Sequence, residues 1–144
     1  METIYGKQVA DNFLARMDGI NELIADCSTQ SKTKGTVTAI DGRELISKSP
    51  HSALNLLLQG SAGIIAKQWA INFHNLAAPT LTEGIDWYQM VFVHDEYQCA
   101  VKPDLAGTLG RHIVNGCSLV TEQFNMNIPI EADYSIGLNW SETH

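Results

Sequence analysis

The segment Gln89-Met90-Val91-Phe92-Val93-His94-Asp95-Glu96-Tyr97-Gln98-Cys99-Ala100-Val101 constrains this chain more than any other. Most of its residues are apolar, aromatic or β-branched, as strands prefer, and three polar residues interrupt them at the centre. The pattern predicts a β-hairpin with His94, Asp95 and Glu96 at its tip. Two neighbouring carboxylates on an otherwise buried hairpin are costly unless a positive group meets them. A metal ion or a basic partner would relieve the cost. An ordinary polar turn has a similar composition, so spacing alone leaves that reading open too.

A hairpin that presents an aspartate suits metal-dependent phosphoryl transfer, where the protein supplies hard oxygen ligands for Mg²⁺. Two-metal catalysis needs carboxylates flanking ions roughly 3.5–4 Å apart. In extended backbone Asp95 and Glu96 point to opposite faces, so they do not hold both ions by themselves. A second carboxylate must come from elsewhere.

The strongest helical pattern covers residues 52–75. Leu54, Leu57, Leu58, Ile64, Ile65 and Trp69 form its apolar face, and His51, Asn55 and Gln59 recur every four residues on the other side. That polar row is either a solvated face or a contact with a duplex minor groove. In the groove every base pair offers N3 or O2 acceptors whatever the sequence, and Asn and Gln can donate to them. Gly60-Ser61-Ala62-Gly63 follows and would allow close approach of a bulky neighbour. No Gly-Lys-Ser/Thr accompanies these glycines, so a phosphate-binding loop is excluded.

Elsewhere, Val9, Phe13, Met17, Ile20 and Ile24 predict a core-packing helix over residues 7–31, split or kinked at Asp18-Gly19. Asp41-Gly42 between β-prone runs predicts a hairpin with a type I′ turn. Ser49 or Ser52 is placed to cap the long helix after Pro50, and Asp104 to cap another over residues 105–124. Leu105, Leu109, Ile113, Cys117, Val120 and Phe124 give that last helix an amphipathic face for packing on a sheet. Ile128 to Ala132 reads as a final strand near an edge, because Pro129 lacks an N–H. The expected fold is α+β over a single unit, residues 1–144, with no internal repeat or linker.

The net charge of −7 argues against a freestanding DNA-binding domain. Residues 29–50 are locally basic: Lys32, Lys34, Arg43 and Lys48 outnumber Asp41 and Glu44. These cations are either phosphate contacts or a solvated face. If nucleic acid binds, other segments must supply much of the phosphate affinity. Three widely spaced cysteines suggest a reducing, cytoplasmic setting and lack zinc-ligand spacing. Polar residues interrupt the apolar runs, so no membrane span is expected.

Three separated segments resemble one family. Val93-His94-Asp95-Glu96 resembles motif C of family A DNA polymerases, the DNA polymerase I type. Residues 49–63, Ser-Pro-His-Ser-Ala-Leu-Asn-Leu-Leu-Leu-Gln-Gly-Ser-Ala-Gly, resemble that family's palm helix at the primer–template minor groove. Residues 137–144, Gly-Leu-Asn-Trp-Ser-Glu-Thr-His, resemble its C-terminal ending, with Thr143 in place of the usual alanine. The Asp41-Gly42-Arg43 hairpin and Gly6-Lys7 through Phe13-Leu14 also fit, especially the bacteriophage replicative branch.

The resemblance implies that Asp95 is a catalytic metal ligand, that Glu96 supports the metal site or primer end, and that His94 lies near the primer terminus. It implies minor-groove contacts for His51, Asn55 and Gln59, adds Arg43 as a DNA-binding residue, and brings His144 toward the active site. It implies Mg²⁺, primer–template DNA and a deoxynucleoside triphosphate as cofactor and partners. Motif A, with the second aspartate, and the nucleotide-gripping helix of motif B do not precede residue 49. Asp133-Tyr134-Ser135 echoes motif A in letters but follows motif C. The expectation is thus a partial palm with the rear of the fingers, inactive alone and completed by an N-terminal chain carrying motifs A and B. Met1 suits a separately translated subunit, though a cloned fragment would read the same; a phage-encoded subunit would work in the host cytoplasm. The exposed seam could instead self-associate. A non-catalytic DNA-binding or structural remnant, or an unrelated metal-dependent nuclease, are the alternative functions.

Overall fold

The computed structural model describes residues 2–143, so His144 lies outside the described residues. It forms two compact units, and the boundary falls within one long helix, after Ala62. The architecture is α+β, with two separate two-stranded antiparallel sheets.

The first unit holds helices α1 (Glu2–Leu14) and α2 (Ile20–Lys34), strands β1 (Thr36–Thr38) and β2 (Glu44–Ile46), and the start of helix α3 (Ala53–Ala77). Gly19 and Gly35 sit in the left-handed region at either end of α2, with φ of 80° and 71°. The predicted helix is therefore two. Its stripe does not pack as expected: Val9 is 52% exposed and Phe13 62%. The break at Gly19 ends the single helical face on which the stripe depended. The small core forms instead from Cys27, Val37 and Ala53, with Leu54, Leu56 and Leu57 against them.

The β1–β2 connection also differs from its expected two-residue turn. The Ala39 N–H donates to the Arg43 carbonyl at 2.8 Å, and Gly42 N–H to Ala39 at 2.9 Å. This encloses a three-residue loop, Ile40-Asp41-Gly42. Only Gly42 takes positive φ (84°), whereas a type I′ turn would force Asp41 there as well. Ser49 caps as expected: its hydroxyl accepts from Ser52 N–H at 3.4 Å.

The second unit contains α3 from Gly63, strands β3 (Trp87–Val93) and β4 (Glu96–Val101), and helix α4 (Ala106–Gln123). Its core is Phe73, Ala77, Leu81, Trp87 and Leu109. The expected face of α4 is confirmed, since Leu109, Cys117 and Val120 are buried. That face meets α3. The Trp69 indole N–H donates to the Ile113 carbonyl at 2.7 Å. The buried Asn72 amide donates to the Gly116 carbonyl at 3.0 Å and to the Gln123 side chain at 2.8 Å. Asp104 does not cap α4; it lies in a 3₁₀ turn, and no side chain caps the helix.

The final strand is absent. Residues 128–132 pair with no strand, and the Ile130 N–H is satisfied by the Thr121 hydroxyl at 2.8 Å. β-propensity there has no ladder to join.

The loop before β3 is tied to the end of β4. Asp86 accepts from Lys102 Nζ at 2.7 Å and from the Thr82 N–H at 2.9 Å. Lys102 and that N–H hold the Asp86 carboxyl below its usual value. The stabilisation is present above the unfolded carboxylate pKa, about 3.9, and is lost as pH falls through the lower folded value. The thermal-midpoint advantage of wild type over Asp86→Asn should therefore hold at neutral pH and shrink toward zero on acidification below about pH 4.

Candidate active site

β3 and β4 pair through Val93↔Glu96, so a two-residue turn, His94-Asp95, joins them. His94 takes φ of 54°, while Asp95 keeps negative φ. Positive φ at the first turn position matches the right-handed twist of a hairpin. Glu96 thus belongs to β4 rather than to the turn.

A β-bulge decides what each face of the hairpin carries. The ladder pairs Gln89 with Cys99 and Val91 with Gln98, which leaves Met90 as the extra residue. Without it, inward positions would run 87, 89, 91, 93. With it, Phe92 faces inward and pairs with Tyr97, their rings 4.6 Å apart. Tyr97, Cys99 and Val101 pack against the core of the second unit. Glu96 and Gln98 occupy the opposite face, and the Gln98 amide donates to Glu96.

The carboxylates are therefore not buried within this chain, as the apolar flanks led one to expect. Asp95 is exposed and Glu96 half-buried, and Met90, Val91 and Phe92 beside them are exposed too. No hydrogen bond or ion pair among the described residues engages the Asp95 carboxylate. It is free to take a cation. Among the described residues no group of three or more His, Cys, Asp or Glu could hold a metal ion. The chain thus fits one part of a hard-oxygen site, Asp95 with Glu96 adjacent, and does not complete it.

His51, Asn55 and Gln59 are all exposed in the first unit, the last two on the outer face of α3. Leu58, expected on the apolar face, is 55% exposed beside them. Part of the small-residue run has an internal explanation. A Cβ on Gly60 would collide with the Leu45 side chain, and the Ser61 hydroxyl accepts from Ile40 N–H at 3.3 Å. Those two positions serve packing against the β1–β2 hairpin. Ala62 and Gly63 are exposed, and nothing lies within 4 Å of a Cβ at Gly63. Arg43 is already committed: its guanidinium lies 2.7 Å from Asp41 and holds that carboxyl below its usual value. Lys32, Lys34 and Lys48 are exposed.

A cavity of about 360 Å³ lies at the base of β3, between His74, Glu83 and Trp87. It sits at the opposite end of the strand from Asp95. His74 bridges Glu83 (3.2 Å) and Gln89 (3.0 Å) there.

A family model for DNA polymerase family A matches residues 1–142. The DNA-directed DNA polymerase of Enterobacteria phage T3 is 32% identical over 112 residues, 75% of this chain and 16% of that protein. That of Escherichia phage Phieco32 is 30% identical over 146 residues, 96% of this chain and 23% of that protein. The POL domain of Pol1 from M. smegmatis, solved in complex with DNA primer-template and dNTP, shares the fold at a TM-score of 0.75 and 20% identity. That likeness covers 98% of this chain and 26% of that one. The chain belongs to DNA polymerase family A. It spans less than a quarter of the length of the phage relatives. No helix among the described residues is long and apolar enough to cross a membrane.

Proposed function

We propose that this chain is the C-terminal portion, or a split subunit, of a template-directed DNA polymerase. Asp95 supplies a catalytic metal ligand, Glu96 supports it, and His94 lies near the primer end. His51, Asn55 and Gln59 contact the primer–template minor groove, with Arg43 near the backbone. The observation that carries this reading is an exposed, unengaged aspartate at the two-residue turn of a well-fastened hairpin, in a chain of polymerase family A. Mg²⁺, when bound, neutralises charge on the transferring phosphoryl group and on the attacking primer 3′-oxygen.

The remaining carboxylate and the nucleotide grip come from a partner chain carrying motifs A and B. The exposed apolar face beside Asp95, with Val91 and Met90, supports such a partner, because a solvated sheet face is ordinarily polar. The test is primer extension with Mg²⁺ after mixing this chain with that partner. Extension that disappears in Asp95→Ala supports the reading. DNA binding without extension under any pairing is the result expected of a non-catalytic remnant. Nucleotide release by this chain alone would indicate a nuclease.

The minor-groove row carries its own prediction. Asn55→Ala and Gln59→Ala should each weaken duplex binding by about three- to tenfold, one hydrogen bond's worth. The loss should be equal across sequences and leave the salt slope unchanged, since neither side chain is charged. Gly63→Ala should raise helix stability by up to about 1 kcal/mol while reducing duplex affinity if the groove approaches there. Binding measured by fluorescence anisotropy at several salt concentrations checks all three.

A further inference from the structure

Tyr97 stands two residues beyond Asp95 and faces α3. Its hydroxyl donates to the Ala66 carbonyl of α3 at 2.7 Å. Its ring meets Trp69 edge-on at 4.7 Å, Phe73 edge-on at 5.2 Å, and Phe92 across the ladder at 4.6 Å. Of the inward-facing residues on the hairpin, Tyr97 and its pair Phe92 lie nearest the turn; Gln89, Cys99, Trp87 and Val101 are farther down. Beyond them only Val93↔Glu96 and the turn remain.

We propose that Tyr97 is the positioning residue for Asp95: its hydroxyl and ring fasten the hairpin tip to α3 and set where the carboxylate stands. This rests on the polymerase reading above. Two extended residues span only about 7 Å, so a shift at Tyr97 is passed to Asp95 with little slack. Catalytic geometry is sensitive on that scale: a 1 Å misplacement costs on the order of 10²-fold in rate. The aromatic contacts hold the ring against α3, and the hydroxyl adds a directional bond that a ring alone does not provide.

The first test is read on this chain alone. Tyr97→Phe keeps the ring and removes the hydroxyl, and Tyr97→Leu removes the aromatic contacts as well. Backbone amide exchange at Val93 and Glu96, the pair that closes the turn, should rise about fivefold in Tyr97→Phe and further in Tyr97→Leu. Amides of α4 should exchange at wild-type rates in Tyr97→Phe. Unchanged exchange at the tip overturns the proposal, and so does an equal rise throughout the unit, which would mark a merely structural role. In the reconstituted polymerase, Tyr97→Phe should lower kcat about tenfold with nucleotide KM nearly unchanged, as expected for a loss felt in the transition state. An unchanged kcat overturns the proposal. If wild type gives no Asp95-dependent extension, the polymerase reading fails, and the exchange measurement still decides whether Tyr97 fastens the tip.

Discussion

Asp95→Ala should reduce primer extension in the reconstituted polymerase by on the order of 10²–10³-fold or more, in kcat rather than in nucleotide KM. Asp95→Asn should come close to it, because the carboxylate's charge rather than its shape meets a hard cation. A factor of 10²–10³ corresponds to about 2.7–4 kcal/mol of transition-state stabilisation. The structural cost is small by comparison. Asp95 is exposed, and no hydrogen bond or ion pair among the described residues engages its carboxylate. Surface substitutions of that kind stay within about 0.5 kcal/mol of wild-type stability. Thermal melts of the Asp95 variants should therefore overlay wild type while activity is lost. A large fall in melting temperature would instead assign Asp95 a role in holding the hairpin.

The second large effect lies at Gly116, in the crossing of α3 and α4. A Cβ placed there would stand 2.7 Å from the Phe73 nitrogen and 2.9 Å from its Cα. These are backbone atoms, so the helices must separate to admit it. Overpacking of this kind costs about 1–3 kcal/mol, occasionally more. Against it, alanine gains up to about 1 kcal/mol in helix propensity over glycine. Separation also stretches the bond from buried Asn72 to the Gly116 carbonyl, which contributes about 1 kcal/mol. The steric loss wins. Gly116→Ala should lower stability by about 1–2 kcal/mol and Gly116→Val by about 3 kcal/mol in urea titrations. Gly107, on the same helix, is the control. Its Cβ would meet only the Arg111 guanidinium at 3.6 Å, an ordinary contact, so Gly107→Ala should cost nothing.

Much of the candidate site is legible in residue order alone. A β-prone run broken by His94-Asp95-Glu96 places an aspartate at a hairpin tip, and three matching motifs in the right order identify the family. Asn55 and Gln59 on the outer face of α3 are equally readable, because helical periodicity is local and an outer face needs no partner to define it; His51 instead lies in the 3₁₀ turn Pro50–Ser52 before that helix. Other features were not legible. Nothing in Val9, Phe13 and Met17 distinguishes an apolar stripe that is buried from one left exposed. The run Ile128 to Ala132 has strand propensity, yet a strand exists only where a neighbouring edge accepts its hydrogen bonds. Gly60 and Gly63 look alike in sequence, but one admits Leu45 and the other faces open space.

The sequence by itself determined the class of fold and the presence of one hard-oxygen donor at the turn of a hairpin. Only the tertiary structure decided how that donor is held. The bulge at Met90 brings Phe92 to the inward face beside Tyr97, and Tyr97 ties the tip to the Ala66 carbonyl. Periodicity fixes which residues alternate along a strand. A one-residue slip and a bond to a residue 31 positions away depend on what packs alongside, and that information resides in no local window.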